Sequence, residues 1–204
     1  MSDFNQFTGL IKIGFGSLSS IHGFYGCTNL VRITLPSNLT NLNAGYSYGK
    51  GCFGNCSSLQ ELYMPDSITT FNSGCFFNCT ALRYVRYSSN CSLPNGSHNN
   101  EFFSGCTNLE EIENFPQDVT IFPGYSFKNC NKLDVSIFNF KKITYLGNCS
   151  LNGGTNWPSE IVFSSLTNIS ENYALNFRGG GSCAVDRIYM PKVTNTGGRY
   201  SLEC

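Results

Sequence analysis

Residues 53–65 read Phe-Gly-Asn-Cys-Ser-Ser-Leu-Gln-Glu-Leu-Tyr-Met-Pro. The same spacing returns as Phe24-Tyr-Gly-Cys27-Thr-Asn-Leu30-Val-Arg-Ile33-Thr-Leu35-Pro36 and as Phe76-Phe-Asn-Cys79-Thr-Ala-Leu82-Arg-Tyr-Val85-Arg-Tyr87. It returns again as Phe103-Ser-Gly-Cys106-Thr-Asn-Leu109-Glu-Glu-Ile112, with Phe115-Pro116 one residue late, and Phe127-Lys-Asn-Cys130-Asn-Lys-Leu133 opens a looser fifth copy. The cysteine-to-cysteine steps are 29, 23, 27 and 24 residues. A repeat of this length marks a solenoid, in which no unit buries its apolar face alone and the core forms by stacking.

Within a unit, the closing apolar residues alternate, as a short strand with one inward face requires. Proline then ends the strand, because it has no N–H for a ladder. A second apolar pair follows, Leu39 and Leu42, Ile68 and Phe71, Val119 and Phe122, and forms the returning side of the coil. Gly, Asn and Ser fill the corners as turns, and no stretch holds a long helical period.

The units resemble the BspA-like leucine-rich repeats, with the signature A-F-x-x-C-x-x-L-x-x-I-x-L-P. Copies at 24–36, 53–65, 76–87 and 103–116 match well. The copy at 127–138 drifts after Leu133, with Ser136 where an apolar residue belongs. Residues 150–175 keep only an apolar rhythm at Ile161, Phe163, Leu166 and Ile169, and Val185, Ile188, Met190 and Pro191 recover it. The resemblance implies a mainly β, right-handed solenoid. One parallel sheet of about seven or eight short strands lies on one side, with turn or 3-10 segments on the other. It also implies a surface or interaction protein that binds other proteins. Residues 1–23 are expected to be an N-terminal cap with a degenerate first coil, and 24–204 a continuous solenoid, together one domain. Phe4, Phe7, Leu10, Ile11 and Ile13 are expected to supply the cap, whereas Tyr200–Cys204 looks like the start of a further unit, so that either the chain is a fragment or a partner covers the open end.

Thirteen basic and thirteen acidic residues give a formal net charge of zero, and only 13% of residues are charged. There is no basic excess for nucleic acid or anionic lipid. The first residues lack a basic region followed by a continuous apolar one, so they do not read as a secretory signal. The expectation is cytoplasmic synthesis, with virion assembly or, if the chain is part of a longer exported one, a cell surface as destinations.

Eleven cysteines first suggest a disulfide scaffold. Their positions argue for reduced, structural thiols instead. Cys27, Cys56, Cys79, Cys106 and Cys130 share one repeat position, and Cys52 and Cys75 share another, just before the Phe. Equivalent positions face each other inside a stack, where a thiol behaves as a small apolar group and parallel Cβ directions suit the disulfide dihedral poorly. The spacing lacks a zinc pattern, and His22 and His98 are far apart. No metal or cofactor is expected.

Two surfaces could bind a partner. Five residues after the cysteine position, or its equivalent, stand Arg32, Glu61, Tyr84, Glu111, Val135, Glu160 and Arg187. Seven after stand Thr34, Tyr63, Arg86, Glu113, Ile137, Val162 and Tyr189. Both rows should line the outer face of the sheet. They form either a groove anchored by Tyr63, Tyr84, Arg86, Glu111 and Glu113, or ordinary ladder pairs such as Arg32 with Glu61 and Arg86 with Glu113. The second surface comes from insertions at 43–51, 95–101 and 176–182, expected at one corner just before the cysteine-bearing turn, with Tyr46, Tyr48, His98 and Arg178 as contacts. Surface loops that merely tolerate insertion are the other explanation.

The remaining motifs are weak. The Asn-x-Ser/Thr sites follow from an Asn-rich repeat. Gly179–Gly181 lacks the Lys-Ser/Thr and helix of a phosphate loop. Glu110, Glu111, Glu113 and Asp118 lack calcium-loop spacing. No nucleophile has a motif partner. The expected function is a non-catalytic protein-binding or adhesion module. The alternative is a structural or receptor-binding component of a phage particle, its fibre or another large assembly.

Overall fold

Each Phe-x-x-Cys unit makes one coil, and the computed structural model joins successive coils through three parallel ladders. It describes residues 12–14, 20–21, 23–42, 51–93, 100–169, 174–176, 185–196 and 202–203.

The first side of the coils holds seven three-residue strands among the described residues, paired in three groups: Lys12–Gly14 with Arg32–Thr34, then Glu61–Tyr63 with Tyr84–Arg86 and Glu111–Glu113, then Glu160–Val162 with Arg187–Tyr189. Leu62, Val85 and Ile112 stand in register, as do Ile161 and Ile188. The central residues Ile33, Leu62, Val85, Ile112 and Ile161 are buried, while their neighbours point outward. That alternation is the one read from the repeat.

The second ladder is the return side. It joins Ser20–Ile21, Asn41–Leu42 and Thr70–Phe71, then Ile121–Phe122 and Tyr145–Leu146, with a bridge from Asn168 to Asn195.

The third ladder runs through the Phe-x-x-Cys turns. Phe24 N–H donates to Cys52 O at 3.0 Å, Phe53 N–H to Cys75 O at 2.8 Å, Phe76 N–H to Phe102 O at 2.9 Å and Phe127 N–H to Ser150 O at 3.1 Å. It continues as the short strands Leu151–Asn152, Leu175–Asn176 and Leu202–Glu203.

The turn explains the residue before each cysteine. Gly26, Asn55, Asn78, Gly105 and Asn129 all have positive φ, between 55° and 77°. Gly enters that region freely, and Asn and Asp do so at less steric cost than other side chains.

The tight turn lets each cysteine N–H donate to the Phe carbonyl three residues back, at 3.0–3.2 Å. The thiol of the following coil then donates to the same oxygen. Cys56 Sγ reaches Phe24 O at 3.0 Å, Cys79 Sγ reaches Phe53 O at 3.0 Å, Cys106 Sγ reaches Phe76 O at 3.1 Å and Cys130 Sγ reaches Phe103 O at 3.0 Å. A cysteine here fills a small apolar space and uses the carbonyl's second lone pair. The nine described cysteines are all buried.

Above the turns the aromatic rings stack. Phe24, Phe53, Phe76, Phe103 and Phe127 follow one another at 5.2–5.8 Å, with planes within 18° of parallel. Each such pair adds about 0.5–1.5 kcal/mol beyond its buried area.

The drift at residue 136 breaks the strand ladder. Val135–Ile137 and Phe140–Lys142 are 3-10 turns. Val135 and Ile137, expected on the outer face, do not lie there: Val135 is buried and Ile137 is half-buried against the core, while Ser136 faces out. A strand would have driven the Ser136 hydroxyl inward at a cost. Instead the Asp134 carboxylate accepts from Ser136 N–H at 2.9 Å and starts the turn.

One coil later Trp157 is buried and stacked on Phe140 at 5.9 Å. Gly154 lies beside Leu133, next to the Asp134–Thr155 bridge, and a Cβ there would overlap Val135.

Two outcomes check this account. Asn78→Ala should cost about 1–2 kcal/mol, a few degrees in Tm, while Asn78→Gly stays near neutral in urea unfolding; equal losses in both would rule out the backbone explanation. Burial also raises the Cys52, Cys75, Cys79, Cys106 and Cys130 thiols. The folded chain therefore holds these protons to higher pH than the unfolded one. Stability should be intact below about pH 8.5 and fall above it by ~1.4 kcal/mol per pH unit per thiol. Urea titrations at alkaline pH should show a shallower fall in Cys106→Ala.

Candidate functional site

The outer face of the strand ladder gathers five sequence-expected residues on three adjacent coils. In register, Glu61 lies beside Tyr84 and Tyr84 beside Glu111, while Tyr63 lies beside Arg86 and Arg86 beside Glu113. The period-two pleat turns these side chains away from the core formed by Leu62, Val85 and Ile112.

Hydrogen bonds and ion pairs hold the middle of this face. Tyr84 donates its hydroxyl to the Glu113 carboxylate. Arg86 Nη1 donates to Met64 O at 3.2 Å, Nη2 lies 3.5 Å from Asp66 Oδ2, and Nε lies 4.0 Å from Glu113 Oε1. Asp66 is fixed in turn by Ser89 N–H, 3.2 Å from Oδ1. That bond, with further help from Ser89 and Arg86, holds the Asp66 carboxyl below its usual range. The hydrogen bond to Glu113, then partial burial and the surrounding negative charge, push Tyr84 up to about 12.

Tyr63 is 54% exposed and its ring lies 5.5 Å from that of Tyr84, tilted by 47°. Glu61, Tyr63, Arg83, Tyr84, Glu110 and Glu111 line an open cleft of about 300 Å³.

Two expected features differ. The cation beside Glu61 is Arg83 of the following coil, 3.8 Å away, and not Arg32. Strands Arg32–Thr34 and Glu61–Tyr63 do not pair directly, although Gln60 N–H still donates to Val31 O at 3.2 Å. The Arg86–Glu113 neighbour relation does form. Arg83 and Asp66 were missed because they flank the strand. The strand-edge position just before Tyr84 and the turn after Pro65 were the available signals.

A second patch lies further along the same face, where Glu160 pairs with Arg187 at 3.3 Å and Tyr189 is 57% exposed.

Tyr46, Tyr48, His98 and Arg178 lie outside the described residues. Their flanks correct the idea of one shared corner. Segments 43–50 and 94–99 both lead from the return side to a Phe-bearing turn. Segment 177–184 opens one step later. It follows Leu175, which pairs with Leu151 in the turn ladder, and precedes Arg187–Tyr189. The reason is register: Leu175 already occupies the Phe position.

The acidic residues act singly. Glu110 faces Lys132 at 4.0 Å and Glu113 serves Tyr84 and Arg86. Among the described residues no three His, Cys, Asp or Glu side chains gather as a metal site, and no helix is long and apolar enough to cross a membrane.

A family model described as a BspA-type leucine-rich repeat region, in six copies, matches residues 4–134, 46–178 and 97–200. The chain belongs to the BspA-type leucine-rich repeat family. Leucine-rich repeats of this type are typically protein-binding modules and generally non-catalytic. A search of curated proteins gives no match.

Among solved structures, a leucine-rich repeat protein from Bacteroides ovatus is 18% identical with a TM-score of 0.55, over 93% of this chain and 63% of that one. The T. pallidum leucine-rich repeat protein TpLRR is 26% identical with a TM-score of 0.47, over 64% of this chain and 68% of that one. A leucine-rich repeat protein from Eubacterium ventriosum is 19% identical with a TM-score of 0.43, over 92% of this chain and 43% of that one. The Bacteroides match shows the shared solenoid fold. The chain spans under two thirds of the length of the Bacteroides and Eubacterium proteins.

The Tyr84–Glu113 bond can be tested by ring-labelled tyrosine NMR. Glu113→Gln should return the Tyr84 midpoint toward about 10 from its raised value. An unchanged midpoint would place the cause elsewhere.

Proposed function

We propose that the chain is a non-catalytic recognition module, used for adhesion or partner binding, that meets its protein partner on the outer face of the strand ladder. One observation carries this reading. The large apolar side chains exposed among the described residues are Tyr63 and Tyr189, at 54% and 57%, and both stand on that face in the same row. Tyrosine anchors protein interfaces because its rigid ring covers much area at little entropic cost. The preformed strands beneath the rings reduce what must be ordered on binding, which favours affinity. Arg86, Glu111 and Glu113 supply the polar surround. The insertions that carry Tyr46, Tyr48 and His98 are the second surface of the same proposal.

A photo-crosslinking amino acid at position 63, 189 or 48, compared with Thr70 on the return side, tests this against cell-surface and particle protein fractions. Specific adducts should form at 63 and 189, and they should be competed by the unlabelled chain but not by its Tyr63→Ala/Tyr189→Ala variant. Adducts formed equally at Thr70, or insensitive to that competitor, would overturn the strand-face reading. Adducts at 48 alone would move the site to the insertions.

A further inference from the structure

The chemistry of the cleft over Tyr63 and Tyr84 narrows the kind of partner, and this step rests on the strand-face reading. Three carboxylates, Glu61, Glu110 and Glu111, line the cleft with the two rings, and a fourth, Glu113, accepts from the Tyr84 hydroxyl. Three of the four are engaged: Glu61 with Arg83 at 3.8 Å, Glu110 with Lys132 at 4.0 Å, and Glu113 with Arg86 and the Tyr84 hydroxyl. Glu111 is exposed and has no ion pair among the described residues. Its strand neighbour on one side is Tyr84. On the other side the chain turns inward at Val135, so no outward side chain follows it in the row.

The result is an unneutralised carboxylate at the edge of a tilted aromatic pair, in an open cleft of about 300 Å³. An anionic segment would meet these carboxylates, and the arginines nearby are already committed to them. A cation gains on both counts, from the carboxylate and from the negative ring faces.

We propose that this cleft receives an extended segment of a protein partner bearing a lysine or arginine, whose cation sits between the Tyr63–Tyr84 rings and Glu111. Charge complementarity at an open sheet face also speeds encounter and makes binding sensitive to salt. Arg83, which lines the cleft, keeps Glu61 as its partner, and Arg86 keeps Asp66 and Glu113.

The probe is the blocked peptide Gly-Lys-Gly-Lys-Gly, titrated by NMR beside its Nε-acetylated counterpart and a Gly-Glu-Gly-Glu-Gly control. The basic peptide alone should shift the Tyr63 and Tyr84 ring signals, more tightly at about 20 mM than at about 300 mM salt. Glu111→Gln should weaken it about fivefold and Glu111→Lys should abolish it, with melting unchanged because the side chain is exposed. Equal binding of the acetylated peptide, an unchanged affinity in Glu111→Gln, or shifts that map away from the two rings would each overturn the inference.

Its failure is separable from that of the strand-face reading. An adduct at position 63 whose contacting segment lacks Lys and Arg keeps the face and removes the cation. Peptide binding without competed adducts at 63 and 189 does the reverse.

Discussion

In four successive coils a single carbonyl oxygen, that of Phe24, Phe53, Phe76 or Phe103, takes two donors, and the regular part of the stack depends on it. The Phe carbonyl accepts the cysteine N–H of its own turn and the cysteine thiol of the next coil. The first bond closes the turn and the second ties one turn to the next. Both need the intervening residue in the left-handed region, which is why Gly or Asn stands before the cysteine. A buried carbonyl so used has neither lone pair wasted, and the column of Phe rings is set at a stacking distance by the same geometry.

In-register stacking converts this local turn into a long surface. Since coil follows coil without slippage, side chains at equivalent positions form rows, and the character of the outer face is set by what each copy carries there. Copies at 53–65, 76–87 and 103–116 carry Tyr, Arg and Glu, which lock one another through Asp66, Arg83 and Arg86. These exposed pairs contribute little stability each, on the order of 0–1 kcal/mol. Their effect is to limit the positions available to the two tyrosines, which is what a recognition surface asks of its polar surround.

The departures from the repeat are as informative as the copies. Ser136 cannot enter the core position, so its coil exchanges a strand for 3-10 turns and brings Val135, Phe138 and Phe140 inward. Gly154 lies against Val135 with no space for a side chain, the Trp157 ring stacks on Phe140, and the turn ladder continues as short strands. The outer face is thereby divided into the Tyr63–Glu113 patch and the Glu160–Tyr189 patch.

The residue pattern by itself determined the solenoid, the inward Phe, Cys and Leu columns, the strand alternation, and which residues of the well-matched copies at 53–65, 76–87 and 103–116 share the outer face. Those properties follow from spacing along the chain, and a repeat makes spacing equivalent to position in space. Tertiary structure alone decided the rest. Whether Arg32 or Arg83 meets Glu61 depends on the lateral fit of neighbouring coils. Whether residue 135 faces in or out depends on the penalty for burying its neighbour's hydroxyl. Segment 177–184 opens after the turn position because Leu175 had already filled it. Each of these turns on a competition for one space or one partner, and spacing along a chain carries no record of which competitor wins.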